Sequence, residues 1–227
     1  MTTPGHPLRI QPLRDIDQDG VAARQAGLTP GARQLHREVL RAFLATGRAP
    51  HRAELPGAGG TDQEEAFRQL VEVDLVQLDA VGRVAMAYPF SGQPTGHTVQ
   101  IDDGPVLDTM CAIDALGIPL MTGESAVIVS TDPSDEHPIR VERRGEVWRW
   151  APAGTVVLLA QTGGGGPAAE CLCPAITFHA DRAGAEEWLR RRPELTGVVL
   201  DQDQAIDVAD RSFGSLLAPD REQGAGR

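Results

Sequence analysis

The stretch AVIVSTDPSDEHPIRVERRGEVWRWAPAGTVVLLA, residues 126–160, decides the fold class. Within it Ala126–Ser130, Ile139–Glu142, Val147–Trp150 and Val156–Leu159 are rich in β-branched and aromatic residues, and turn-forming Pro, Gly, Asp and Ser separate them. Working outward, strands also fit Val99–Ile101, Ala175–His179 and Gly197–Asp201, and helices fit Val106–Leu116, Arg182–Arg192 and Gln204–Leu217. Most joins between the strands are short or hairpin-like. The expectation is an α+β fold with an antiparallel or mixed sheet flanked by helices, not a doubly wound parallel sheet.

The first half reads differently. Residues 1–30 are rich in Pro, Gly, Asp and Gln and read as a loose N-terminal arm with room for one short helix. Thr29-Pro30-Gly31 opens an amphipathic helix in which Leu35, Val39, Leu40, Phe43 and Leu44 share a face, and Gly47 ends it. A short segment around Leu55 precedes a second helix capped at Thr61 or Asp62. Leu75–Asp79 and Arg83–Tyr88, split by Val81-Gly82, form a hairpin. Helix, short helix, helix, hairpin is the outline of a winged helix, so residues 31–90 are expected to form a winged-helix-like N-terminal domain. The second of those helices begins Asp62-Gln63-Glu64-Glu65 and offers Arg68 as its cation, which favours a packing module over a DNA reader. Residues 91–217 are the expected catalytic domain and 218–227 a polar tail.

Composition narrows the function. The 227 residues carry 21 Lys and Arg against 32 Asp and Glu, a net charge of −11, which argues against nucleic acid as a partner. The longest strongly apolar stretch, Val156–Ala160, is far short of the roughly 20 residues a bilayer span needs. No secretory signal opens the chain, and three cysteines, Cys111, Cys171 and Cys173, cannot all pair. Reduced thiols and a cytoplasmic location, away from any membrane, are expected.

Several motifs dissolve on inspection. Gly163–Gly166 lacks the Lys-Ser/Thr of a phosphate loop, and the six histidines show no zinc-hydrolase spacing. Asp132–Glu136 reads as a solvated turn. Cys111 and Asp114 are different: three apart, they are neighbours flanking the apolar stripe of the expected helix Val106–Leu116, which Pro119 should break. The thiol alone reads equally as a small core hydrophobe, but a carboxylate beside it is costly without a purpose. Cys171 and Cys173 lead into a strand, with both sulfurs on one side by alternation. Soft-metal chelation, a strained disulfide and accident all remain open for them.

Taken in order, Tyr88-Pro89-Phe90-Ser91, Ile101-Asp102-Asp103, Cys111-Ala112-Ile113-Asp114 and Ile118-Pro119 resemble the bacterial organomercurial (alkylmercury) lyases. Cys173, Phe178, Ala180, Ala185-Glu186 and Trp188 resemble the segment that carries that family's second essential cysteine, and the likeness spans about residues 30–217. The resemblance implies protonolysis of a carbon–mercury bond, with Cys111 and Cys173 as thiolates and Asp114 as the carboxylate that handles the proton. Cys171, two residues upstream, is an auxiliary thiol on this reading. No organic cofactor is implied; Hg(II) is the bound product, handed on to small thiols or a mercury-accepting thiol protein. The chemistry suits the residues, because a soft metal prefers thiolates and a shielded carboxyl retains a proton to deliver. The competing functions are a soft-metal-sequestering protein, a lyase-fold relative acting on another substrate, and a metal-responsive regulator.

Overall fold

A computed structural model describes residues 20–162 and 172–218. The chain begins with helix α1 (Val21–Ala26), which buries Val21 and Gln25, and Leu28 follows into the core. The part of the expected loose arm that is described is therefore packed; residues 1–19 lie outside the described residues. Helix α2 (Pro30–Thr46) starts as expected, with the Thr29 side chain accepting from Ala32 N–H and Pro30 in the first turn. It stops at Gly47, whose φ of 68° suits glycine and where a Cβ would lie 2.8 Å from Pro105. A 3₁₀ turn (Arg52–Glu54) leads to α3 (Thr61–Glu72), whose N-cap is Gly60 and not Thr61 or Asp62. Strands β1 (Val76–Leu78), β2 (Val84–Ala87) and β3 (Phe90–Ser91) form a small antiparallel meander.

The second half is built on two antiparallel sheets. The larger has the order β5-β4-β6-β7-β8, made of β4 (Thr98–Ile101), β5 (Val106–Asp108), β6 (Ala126–Thr131), β7 (Pro138–Arg144) and β8 (Val147–Ala151). On β6 the expected alternation holds: Ala126, Ile128 and Ser130 are buried and Val129 is exposed. The smaller sheet places β9 (Val156–Thr162) between β10 (Ile176–His179) and β11 (Leu195–Leu200). Here Val157 and Leu159 join the main core, while Val156, Leu158 and Ala160 join a second cluster with Ala185 and Trp188 on α5 (Arg182–Arg190). A strand buried on both faces needs an unbroken apolar run, which is why this one reads VVLLA.

One expected helix is corrected. Val106–Asp108 is strand β5, paired with β4, and helix α4 runs from Ala112 to Thr122 instead of over Val106–Leu116. Pro119 does not break it; the helix continues to Gly123. The buried Arg143 side chain of β7 donates to the carbonyls of Pro119 and Glu124, tying down the C-terminal end of the helix. Nearly all of α4 is buried, and it crosses the last helix, α6 (Gln202–Phe213), at very short range: a Cβ on Gly117 would sit 2.3 Å from the Phe213 ring. Only glycine allows that approach. A single cluster of buried side chains runs from Val21 and Phe43 through Phe90 and Leu116 to Phe213 and Leu216.

Candidate active site

The loop between β5 and α4 is pinned from two sides. Thr109 N–H donates to His97 O at 3.0 Å and Met110 N–H to Pro89 O at 3.2 Å. The next residue, Cys111, is the N-cap of α4. Its sulfur accepts from Asp114 N–H at 3.5 Å, while its thiol donates to Asp114 Oδ2 at 2.6 Å. Cap and third helical residue thus close on each other much as Ser and Glu do in a capping box. The sequence argument placed the pair on one helix face; the structure puts it at the helix mouth, where the unpaired N–H groups favour negative charge.

Cys173 arrives from the other sheet, in a 3₁₀ turn (Cys173–Ala175) that leads into β10. One ligand atom from each of Cys111, Asp114 and Cys173 lies within 4.8 Å of the others, and the three residues are 2%, 2% and 5% exposed. The three residues picked from the sequence therefore meet in one buried pocket. Cys171 lies outside the described residues, as do Gly163–Gly166. Sequence reasoning missed Tyr88 as a site residue, although its hydroxyl is 3.9 Å from Cys173 Sγ and the ring is buried. The Arg24 guanidinium of α1 stands 5.8 Å from the Tyr88 ring centroid. The only hint in the sequence was that Tyr88 opens the first of the quoted motifs.

Electrostatics set the protonation. Burial pushes the Asp114 carboxyl up to about 7, against the hydrogen bond from Cys111 and the field of Arg24, which hold it down. Burial also drives the Cys111 thiol well above its ordinary range, reinforced by Cys173 and Asp114. The Tyr88 phenol is raised by burial and by Cys173, so it stays protonated. Three acids in one dry pocket cannot all ionise. A soft, doubly charged metal entering there would reverse that balance, because it displaces thiol protons and needs no hydration shell from the protein.

The family model for alkylmercury lyase (MerB) matches residues 90–214. The chain belongs to the alkylmercury lyase family. The lyase is thus an enzyme that cleaves carbon–mercury bonds in organomercurials. Ten solved chains resemble its structure. One, described as "Crystal structure of the mercury-bound form of MerB2", is 19% identical, has a TM-score of 0.73, and aligns over 90% of this chain and all of its own length. That likeness concerns the fold. A search of curated proteins finds no significant match.

The remaining expectations have mixed outcomes. Among the described residues no helix is long and apolar enough to cross a membrane. Arg68, the cation of α3, is bonded to Glu65 and Glu72 of its own helix. Asp132–Glu136 is not simply a solvated turn: Asp132 is 3% exposed, accepts from Ala180 N–H at 2.7 Å, and stands 3.1 Å from His179 Nδ1. Besides Ser134, two residues on, its partners Ala180 and His179 lie more than forty residues downstream, too far for any local motif to show.

Proposed function

We propose that Cys111, Cys173 and Asp114 carry out the protonolysis. The observation that supports this is the convergence of two thiols and a carboxyl, all buried, within 4.8 Å. An organomercurial R–Hg–X first exchanges X for the sulfur of one cysteine, X leaving with the thiol proton. The second thiol then bonds to mercury and gives its proton to Asp114; for Cys111 the path is the 2.6 Å contact already present. Two thiolate donors raise electron density along the mercury–carbon bond. Asp114 delivers its proton to carbon as that bond breaks, so R–H departs and Hg(II) stays on the two sulfurs. Two incoming thiols, from small molecules or from a mercury-accepting protein, remove the metal and return two protons. Holding the reacting atoms in one pocket removes the entropy of assembling them. A carboxyl with its pKa near neutrality is well matched to taking and giving the proton. No organic cofactor has a step to perform, and Cys171 is an auxiliary thiol at most.

The proposal extends to the setting. Helix α2, the 3₁₀ turn, α3 and the β1–β2 hairpin follow in winged-helix order, and we read residues 31–90 as a winged-helix-like packing module that binds no nucleic acid. Reduced buried thiols fit a cytoplasmic detoxification enzyme in mercury resistance. The deciding experiment is incubation with methylmercury and excess small thiol, measuring methane in the headspace. Methane together with Hg(II) retained on the protein is expected. Tight binding of methylmercury with no methane would instead make the chain a sequestering protein.

A further inference from the structure

The turn Tyr88-Pro89, between β2 and β3, touches both arms that carry the sulfurs. The Pro89 carbonyl accepts from Met110 N–H at 3.2 Å, one residue before Cys111, and Phe90 bridges to Thr109. On the other side the Tyr88 hydroxyl lies 3.9 Å from Cys173 Sγ. Among the described residues it is the one polar group, outside the reacting three, in contact with that sulfur. The hydroxyl is aimed by several restraints. Tyr88 N–H donates to Leu75 O at 3.3 Å, the residue is 2% exposed, and the Arg24 guanidinium stands 5.8 Å from the ring centroid. Arg24 is itself held by the carbonyls of Val73 and Asp74, at 3.2 and 3.0 Å. A ring braced in this way keeps its hydroxyl in one place.

The direction of the contact depends on what the sulfur carries. As a thiol, Cys173 can donate its proton to the phenol oxygen. Once mercury has taken that proton's place the sulfur has none to give, while the phenol, which burial keeps protonated, still has one. The contact then runs from Tyr88 O–H to sulfur. A donor there stabilises charge on the sulfur, so less of it is shared with mercury and the mercury–sulfur bond is easier to break. Cys111 is placed differently. Its sulfur accepts from Asp114 N–H at 3.5 Å, but the Asp114 carboxyl, 2.6 Å away, becomes a carboxylate once its proton has gone to carbon and opposes charge on that sulfur. Of the two cysteines only Cys173 lines the neighbouring cleft of about 390 Å³, whose rim residues Thr131 and Pro133 are exposed.

We propose that Tyr88 is a positioning residue acting through Cys173: its hydroxyl donates to the mercury-bound sulfur and makes that mercury–sulfur bond the first to break when Hg(II) is handed on. In that step the sulfur of an incoming thiol bonds to mercury, the bond from mercury to Cys173 breaks, and the proton of the incoming thiol ends on Cys173 Sγ. The inference rests on Cys173 being a mercury ligand, as argued above.

Tyr88 is the only tyrosine of the chain, so growth on 3-fluorotyrosine alters this residue alone and makes its phenol a stronger donor. Tyr88→Phe removes the donor and keeps the ring. With the full chain loaded with Hg(II) alone, the ultraviolet sulfur-to-mercury charge-transfer band should move to longer wavelength in Tyr88→Phe and to shorter wavelength in the fluorinated chain, because a donor lowers the energy of the sulfur lone pairs. Release of Hg(II) to excess small thiol should slow about fivefold in Tyr88→Phe, what one hydrogen bond of ordinary strength is worth. Hydrocarbon formed from methylmercury in a single turnover without added thiol should not slow with it, since the unbridled sulfur shares more density with mercury. The ratio of hydrocarbon formation to Hg(II) release therefore rises about fivefold, whereas a loosened pocket would slow both. A ratio less than about twofold above wild type, or bands that do not fall in the stated order, overturns the assignment. Should Tyr88→Phe fail to fold, the fluorinated chain decides: its band must lie at shorter wavelength than wild type and its release must be faster. A wild-type chain that holds Hg(II) but forms no hydrocarbon overturns the proposed chemistry, and the band order still decides Tyr88. One that holds no Hg(II) overturns both.

Discussion

Two buried aspartates, Asp114 and Asp132, are 2% and 3% exposed, yet their surroundings drive them in opposite directions. Burial raises Asp132 too, but hydrogen bonds from Ala180 N–H and Ser134 more than offset it, and the carboxyl ends below its usual range. Its neighbour His179 is kept neutral mainly by burial. That cluster is satisfied: the carboxylate has its donors, the imidazole bridges to Thr177, and Trp188 packs on the ring at 5.6 Å. Around Asp114 burial outweighs the hydrogen bond from Cys111 and the field of Arg24, and the carboxyl rises to about 7. A protein folding for stability alone builds the first arrangement. The second leaves electrostatic work undone, which a soft cation can finish. Burial of a carboxylate by itself therefore says little; whether hydrogen-bond donors offset that burial separates a structural anchor from a reactive site.

The comparison breaks most visibly in the rates. Asp114→Ala should retain Hg(II) through Cys111 and Cys173 while hydrocarbon release, followed by headspace analysis, falls by about 10²–10⁴. Cys111→Ser and Cys173→Ser should lose both release and tight mercury binding, because a hydroxyl is a hard, poorly ionised ligand. Asp132→Ala should do the reverse, costing about 2–4 kcal/mol in urea unfolding by stranding buried donors. Mercury stoichiometry should stay at one per chain in that variant.

Titration separates the two aspartates by sign. Asp132 has a depressed folded pKa, so its contribution is present above the unfolded value near 3.8 and is lost as pH falls through the folded one. Asp114 has a raised folded pKa of about 7, so the folded state binds the extra proton and stability declines as pH rises from about 4 to about 7. Asp114→Asn should remove that decline, gaining roughly 2–3 kcal/mol over wild type at pH 8 relative to pH 5 in denaturant titrations. Smallest is the effect on the helix that carries the site. Gly117→Ala, pressed against Phe213, should cost about 1–3 kcal/mol, and Phe213→Leu in the same chain should recover part of it.

How much of this was legible depended on the range of the interactions. Four of the five strands of the large sheet follow from alternation and short turns, and α2 from the Thr29 cap and Gly47, all signals contained within a few residues. Cys111 and Asp114 stood out because an apolar segment has no structural use for a carboxylate. Their setting was misread because Val106 and Leu107 serve a strand as readily as a helix, and because cysteine is not among the usual cap residues. Pro119 looked like a stop, but the helix runs on to Thr122 and its end is tied down by Arg143 from β7, a partner no local pattern announces. Asp132 and Tyr88 were missed for the same reason: what defines each is a group far away in sequence, His179 in one case and Cys173 in the other.

The sulfur that starts α4 serves two masters. As a cap it is a poor choice, since serine in the same place makes a shorter and stronger bond to the helix N–H groups. Cys111→Ser should therefore melt at the same temperature as wild type or slightly above it while being chemically dead. Selection for thermal robustness alone would push this position toward serine, and only continued exposure to the toxic metal would hold it at cysteine. A thermostability screen run on this enzyme without an activity counter-screen would be expected to discard the catalyst first.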